Sequence, residues 1–87
     1  MNKNKEFNCR ICGFLSSIPI WEGEHTDYGI CPACGCQAGE DDMTLEIVRY
    51  YRQKWADSGM KWWGVNEHCP AGWNPHEQMK YIPPNWL

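Results

Sequence analysis

No hydrophobic run in the chain approaches the length of a membrane span. Its first residues, Met1-Asn2-Lys3-Asn4-Lys5-Glu6, run into a cysteine pair without the apolar stretch that a secretory leader carries. These absences argue against a spanning helix and predict a cytoplasmic protein, in a compartment that keeps thiols reduced. Positive charge is scarce as well: 8 Lys and Arg stand against 11 Asp and Glu, a formal charge of −3. That balance suits a basic partner better than a phosphate backbone. A nucleophile, base and orienting group at meaningful spacing is also missing, so no catalytic activity is expected. With 87 residues, one domain buries too small a fraction of its surface to be comfortably stable by packing alone.

What the chain has instead is cysteine. Cys9-Arg10-Ile11-Cys12-Gly13 and Cys31-Pro32-Ala33-Cys34-Gly35 are two Cys-x-x-Cys pairs separated by 18 residues. Two residues between the members of a pair let both sulfurs reach one ion from a single tight turn. The intervening segment is long enough to fold back as a hairpin and present the second pair opposite the first. Gly13 and Gly35 each follow a pair where a turn needs positive φ, and such a turn can aim N–H groups at the thiolates. The spacing therefore predicts a metal site of Cys9, Cys12, Cys31 and Cys34. Two disulfides and inert buried thiols are the alternatives.

Four soft thiolates select zinc or iron; structural zinc is the commoner use, with iron as the alternative cofactor. Bound zinc would contribute on the order of 10 kcal/mol to the folded state. It would take the net charge to about −5. His25 lies in a polar turn where it reads as solvated, not as a ligand, and Cys36, Cys69, His68 and His76 have no recognised metal spacing; Cys36 follows directly on the second pair, close enough to compete for the ion, and reads as a spectator.

The pattern predicts one domain, 1–87: a small α+β metal-bound domain in which a zinc-ribbon or rubredoxin-like β-hairpin is followed by one long and one short helix. The hairpin spans 5–36, with a strand over residues 5–9, a second extended segment over 14–21 ended near Pro19, and a polar turn over 22–27. Residues 37–42 read as an acidic connector. Thr44 is placed to cap a helix over 44–58 stopped by Gly59. Leu45, Val48, Tyr51 and Trp55 share its buried face, widened by Ile47 and Tyr50. The aromatic-rich segment 59–87 holds a short helix over 75–81: Asn74 is the cap, Pro75 the first position, and Glu77 is placed to bond back to the cap.

The metal turns Cys9-Arg10-Ile11-Cys12-Gly13-Phe14 and Cys31-Pro32-Ala33-Cys34-Gly35 resemble the knuckles of rubredoxins and zinc ribbons. A wider resemblance is to the bacterial cysteine-rich CPCC family. Tyr28-Gly29-Ile30-Cys31-Pro32-Ala33-Cys34-Gly35, Gly39-Glu40-Asp41-Asp42, Tyr51-Arg52-Gln53-Lys54-Trp55, Gly59-Met60-Lys61-Trp62-Trp63 and Trp73-Asn74-Pro75-His76-Glu77-Gln78-Met79 follow that family's order. Ala33 stands where the family's motif has a third cysteine, and Cys36 where an aromatic residue is usual. The resemblance implies a protein of the kind that includes immunity proteins encoded beside secreted toxins.

Six tryptophans and four tyrosines serve both core and contact hot spots. With the acids they suggest a module that occludes a basic protein partner, and the resemblance implies that this partner is a toxin domain, such as a nuclease. Glu22, Glu24, Asp27, Glu40, Asp41 and Asp42 would steer the partner, and Trp62 and Trp63 would anchor it. The other readings are a rubredoxin-like iron electron carrier and a zinc-ribbon nucleic-acid binder. The latter depends on a basic face drawn from Arg49, Arg52, Lys54 and Lys61.

Overall fold

The computed structural model describes residues 4–65 and 68–87. The first three residues, part of the leader reading above, lie outside the described residues, as do residues 66 and 67 of the aromatic-rich segment.

Three very short strands begin the fold: β1 (Lys5–Glu6), β2 (Trp21–Glu22) and β3 (His25–Thr26). They form an antiparallel sheet in the order β1-β2-β3, with Glu6 opposite Trp21 and Trp21 opposite Thr26. The predicted strand over 5–9 is thus reduced to two residues and a single bridge from Asn8 to Leu15. The chain must break off pairing there to form the first cysteine turn. The polar turn is tighter than expected, because Glu22 and His25 pair and only Gly23 and Glu24 are left to make it.

Helix α1 (Leu45–Asp57) starts where the sequence predicts, with the Thr44 side chain accepting from the Ile47 N–H. Its end is a Schellman closure: the Gly59 N–H donates to Ala56 O at 3.0 Å and the Met60 N–H to Trp55 O at 3.0 Å. Val48 and Trp55 are buried, and Leu45 and Tyr51 are half-buried. Ile47 and Tyr50 do not widen that face, since both are exposed. The cysteine turns are small, so the helix lies on them along a narrow stripe.

The second helix, α2 (Pro75–Met79), is capped by the Asn74 side chain, which accepts from His76 and Glu77. It stops two residues short of its expected end. Glu77 does not bond back to the cap but pairs with Lys80 at 2.9 Å. Pro83-Pro84 opens a 3-10 turn, η1 (Pro84–Trp86), instead of merely ending the helix. That turn is held by Arg52 of α1, which donates to Trp86 O and also to Ile11 O (2.7 Å) and Arg10 O (2.9 Å) of the first cysteine turn. The core is accordingly built around the cysteines: Cys9, Ile11, Cys12, Ala33, Cys34, Cys36, Val48 and Trp55 are all buried.

Candidate metal centre

Each Cys-x-x-Cys pair folds into the same turn. In the first, the Gly13 N–H donates to Cys9 O at 2.9 Å and the Cys9 N–H to Phe14 O at 2.8 Å. In the second, the Gly35 N–H donates to Cys31 O and the Cys31 N–H to Cys36 O, both at 2.8 Å. Bridges from Asn8 to Leu15 and from Ile30 to Gln37 close the two turns. Gly13 and Gly35 take φ values of +85° and +81°, the left-handed region that a residue with a Cβ rarely occupies. Their N–H groups serve carbonyl oxygens in these bonds, where the sequence suggested thiolates.

The two turns face each other and bring together the sulfurs of Cys9, Cys12, Cys31 and Cys34, all within 4.8 Å of one another. Cys9 and Cys34 are 3.8 Å apart and Cys12 and Cys31 3.6 Å. A tetrahedron of thiolates with metal–sulfur bonds of 2.3 Å has edges of about 3.8 Å. The four predicted ligands thus form a cradle that can hold one metal ion. Among the described residues no second such group occurs: His25, His68, Cys69 and His76 are exposed.

Thiol hydrogen bonds within the cluster shift its cysteines in opposite directions. Those from Cys12, the largest influence, push Cys9 and Cys31 down. Hydrogen bonding first to Cys31 pushes Cys12 and Cys36 up, and bonding first to Cys12 pushes Cys34 up. A bound cation takes all four as thiolates, so metal binding releases their protons.

What supports the cradle differs on its two sides. Arg10, inside the first pair, is 8% exposed. Its guanidinium lies 4.2 Å from the Trp21 ring and 4.1 Å from that of Trp86. It meets Glu6 through Nε (2.9 Å) and Nη2 (2.8 Å), and donates from Nη1 to Asp42 O at 2.9 Å. On the other side, the Trp63 N–H donates to Pro32 O and Ala33 O at 3.2 and 3.1 Å, and its ring lies over Gly35. The Tyr51 hydroxyl donates to Cys34 O at 3.2 Å.

The acids separate into two kinds. Asp42 is 2% exposed and its carboxylate is used internally, accepting from Trp21 Nε1 at 2.9 Å and from the Gly39 N–H at 2.8 Å. Burial pushes its pKa up against those two bonds. It stands apart from the acidic surface to which the sequence assigned it. Asp41 accepts from the Gln37 N–H at 2.9 Å, so the connector is a folded turn. Glu24, Asp27 and Glu40 are exposed, and Glu22 is half-buried beside Lys5 at 3.7 Å. Trp62 is half-buried, edge-on to Phe14 (5.8 Å) and Trp73 (5.3 Å), whereas Trp63 is 54% exposed. The basic face loses Arg52, whose guanidinium is turned onto three backbone carbonyls.

The sequence reading passed over Tyr28 and took Cys36 for a spectator. Tyr28 is 60% exposed at φ +57°, its ring resting on Gly39; the Asp27 side chain accepting from the Gly29 N–H marks the turn. Cys36 is buried, with its sulfur 3.4 Å from that of Cys9. The repeat of Cys-x-x-Cys-Gly-x was the available signal for it, since the position after Gly35 mirrors Phe14.

The sequence matches no family model, and no curated protein or solved structure is significantly similar to it. No helix among the described residues is long and apolar enough to cross a membrane.

Proposed function

We propose that the chain is a protein-binding module, a zinc-ribbon domain stapled by one zinc ion on Cys9, Cys12, Cys31 and Cys34, that acts by occluding a basic partner. The CPCC resemblance directs this reading to an immunity protein and its partner to a toxin domain, such as a nuclease. Zinc in a closed four-thiolate site leaves no position for activating water, so the ion holds the fold and the surface does the work.

The observation that carries the reading is Tyr28. An L-residue at φ +57° costs about 1–2 kcal/mol, and here that strain holds an aromatic ring out in solvent between Asp27 and the Gly39-Glu40 turn. An exposed aromatic next in sequence to exposed Asp27, with its ring on the turn that leads to exposed Glu40, suits a cationic surface: the ring supplies contact area and the charges steer the approach. Trp63 offers a second exposed aromatic, over the second cysteine turn.

Two measurements test it. Elemental analysis and the visible spectrum of protein purified without added metal should give one zinc per chain and no colour; red, iron-containing protein would replace this reading with electron transfer. The zinc-loaded chain should then bind a basic protein from its host in a salt-sensitive complex. Tyr28→Ala combined with Glu40→Lys should weaken that complex by about 100-fold or more without loss of zinc. Unchanged affinity in the double variant, or no bound protein at low salt, would sink it.

A further inference from the structure

Cys36 is a fifth sulfur beside a four-sulfur cradle. Its Sγ lies 3.4 Å from Cys9 Sγ, closer than the 3.6 and 3.8 Å separations within the cradle. The near-symmetry of the two turns explains how it gets there. The residue after each glycine takes the N–H of its own turn's first cysteine on its carbonyl, as Phe14 does for Cys9 and Cys36 for Cys31. In the first turn that side chain is an aromatic ring packed against Trp62 at 5.8 Å. In the second it is a thiol, and it reaches across to the first cysteine of the opposite turn.

A second, independent feature lies on the same side. A cavity of about 70 Å³ reaches Cys9, Cys31 and Cys36 and is walled by Phe14, Ile20 and Ile30. It gives sulfurs on this side room to shift that a close-packed interior denies. Ser16, Asp27 and Asp42 also line it, but its wall is mostly apolar, so a sulfur that leaves the ion gains little by moving away.

We propose that Cys36 is a reserve metal ligand that exchanges with Cys9, so that the centre has three fixed corners, Cys12, Cys31 and Cys34, and one exchangeable corner. The exchange is balanced within the chain. The bond from the ion to Cys9 Sγ breaks as a bond to Cys36 Sγ forms, and the proton on Cys36 Sγ passes to Cys9 Sγ. Four thiolates and one thiol are present before and after, with no oxidant or outside base required. An exchangeable corner gives a divalent ion a way in or out of a buried site while three thiolates still hold it. The inference rests on the metal-site reading and adds to it an unequal standing of the four predicted ligands.

Cobalt(II) tests this, because the intensity of its thiolate charge-transfer band reports how many sulfurs are bound. Under reducing conditions, Cys9→Ser should retain one cobalt per chain with a four-thiolate spectrum and an affinity within about tenfold of the parent. Cys12→Ser, which has no reserve, and the double variant Cys9→Ser/Cys36→Ser should fall by about 100-fold or more and show three thiolates. Cys36→Ser alone should match the parent spectrum. A Cys9→Ser chain as weak as the double variant overturns the exchange while leaving the metal site standing; a parent that binds no metal overturns both.

If Cys9→Ser does not fold, the zinc-loaded parent answers the question. Limiting N-ethylmaleimide should label exposed Cys69 first and then both Cys36 and Cys9, with Cys12 untouched. Label confined to Cys36 after Cys69, or spread over all four cradle cysteines, overturns the proposal.

Discussion

The first and second cysteine turns have the same backbone hydrogen bonds and nearly the same glycine φ, yet they are held in opposite ways. The first is gripped from within: Arg10 is stacked between Trp21 and Trp86 and bonded to Glu6 and the Asp42 carbonyl. The C-terminal segment is packed directly against it, with Gln78 Nε2 donating to Cys12 O at 3.3 Å. The second is covered from outside by the half-exposed Trp63, and it carries the reserve thiol, beside a cavity that Cys9 and Phe14 of the first turn also line. One repeated motif thus yields two halves held by different contacts. The metal turn itself is a local property of the sequence, whereas its stiffness comes from whatever the rest of the chain places against it.

Removing what the turns share should have the largest effect. Chelating the ion should cost on the order of 10 kcal/mol and unfold both halves together, read by circular dichroism alongside metal content. A chelated chain that keeps its helical signal and its unfolding midpoint would mean that packing alone holds the turns.

Next is the grip on the first turn. Arg10→Met keeps the length of the side chain and removes its charge, leaving Glu6 and the Asp42 carbonyl without their donor. It should cost about 2–3 kcal/mol in denaturant unfolding of the metal-loaded chain. A loss no larger than that from Trp63→Ala would erase the asymmetry.

The two glycines give the sharpest contrast. A Cβ at Gly13 would lie 2.3 Å from Gln78 O and 3.0 Å from Ile82 N, both backbone atoms. At Gly35 its three nearest neighbours would all be atoms of the Trp63 ring, the closest at 2.4 Å, and that ring is half in solvent and can swing away. Both substitutions carry the positive-φ penalty of about 1 kcal/mol, but Gly13→Ala should exceed Gly35→Ala by about 1–2 kcal/mol. Equal losses would mean that the C-terminal segment yields as easily as a surface ring.

Asp42→Asn should cost about 1–2 kcal/mol, because its amide end turns a donor toward either Trp21 Nε1 or the Gly39 N–H. The smallest change is Trp63→Ala, about 1 kcal/mol or less in melting experiments, since the ring is 54% exposed. Its metal content should stay at the parent level.

Local chemistry accounts for what could be read from the sequence. The four cysteines with their glycines, the Thr44 and Asn74 caps and the Val48, Tyr51 and Trp55 stripe are short-range patterns, and each appears where its spacing puts it. Arg10 and Asp42 could not be read this way, because each is defined by a partner far along the chain. Arg10 looked like a spacer until Trp86 was set against it, and Asp42 like one acid in a surface run until Trp21 arrived to donate to it. The exposure of Ile47 and Tyr50 was hidden for the same reason: periodicity shows which residues share a face, not how wide a surface awaits them.

The stacked guanidinium also bears on how the chain comes apart. Glu6 and Trp86 both end on Arg10, so the eighty or so residues between them are closed into a ring by a clasp instead of a covalent bond. Peeling strand β1 away or unwinding the 3-10 turn opens the same clasp, and fraying begun at one end loosens the other. In hydrogen exchange the backbone amides near residues 6 and 86 should therefore open together, as a single unit.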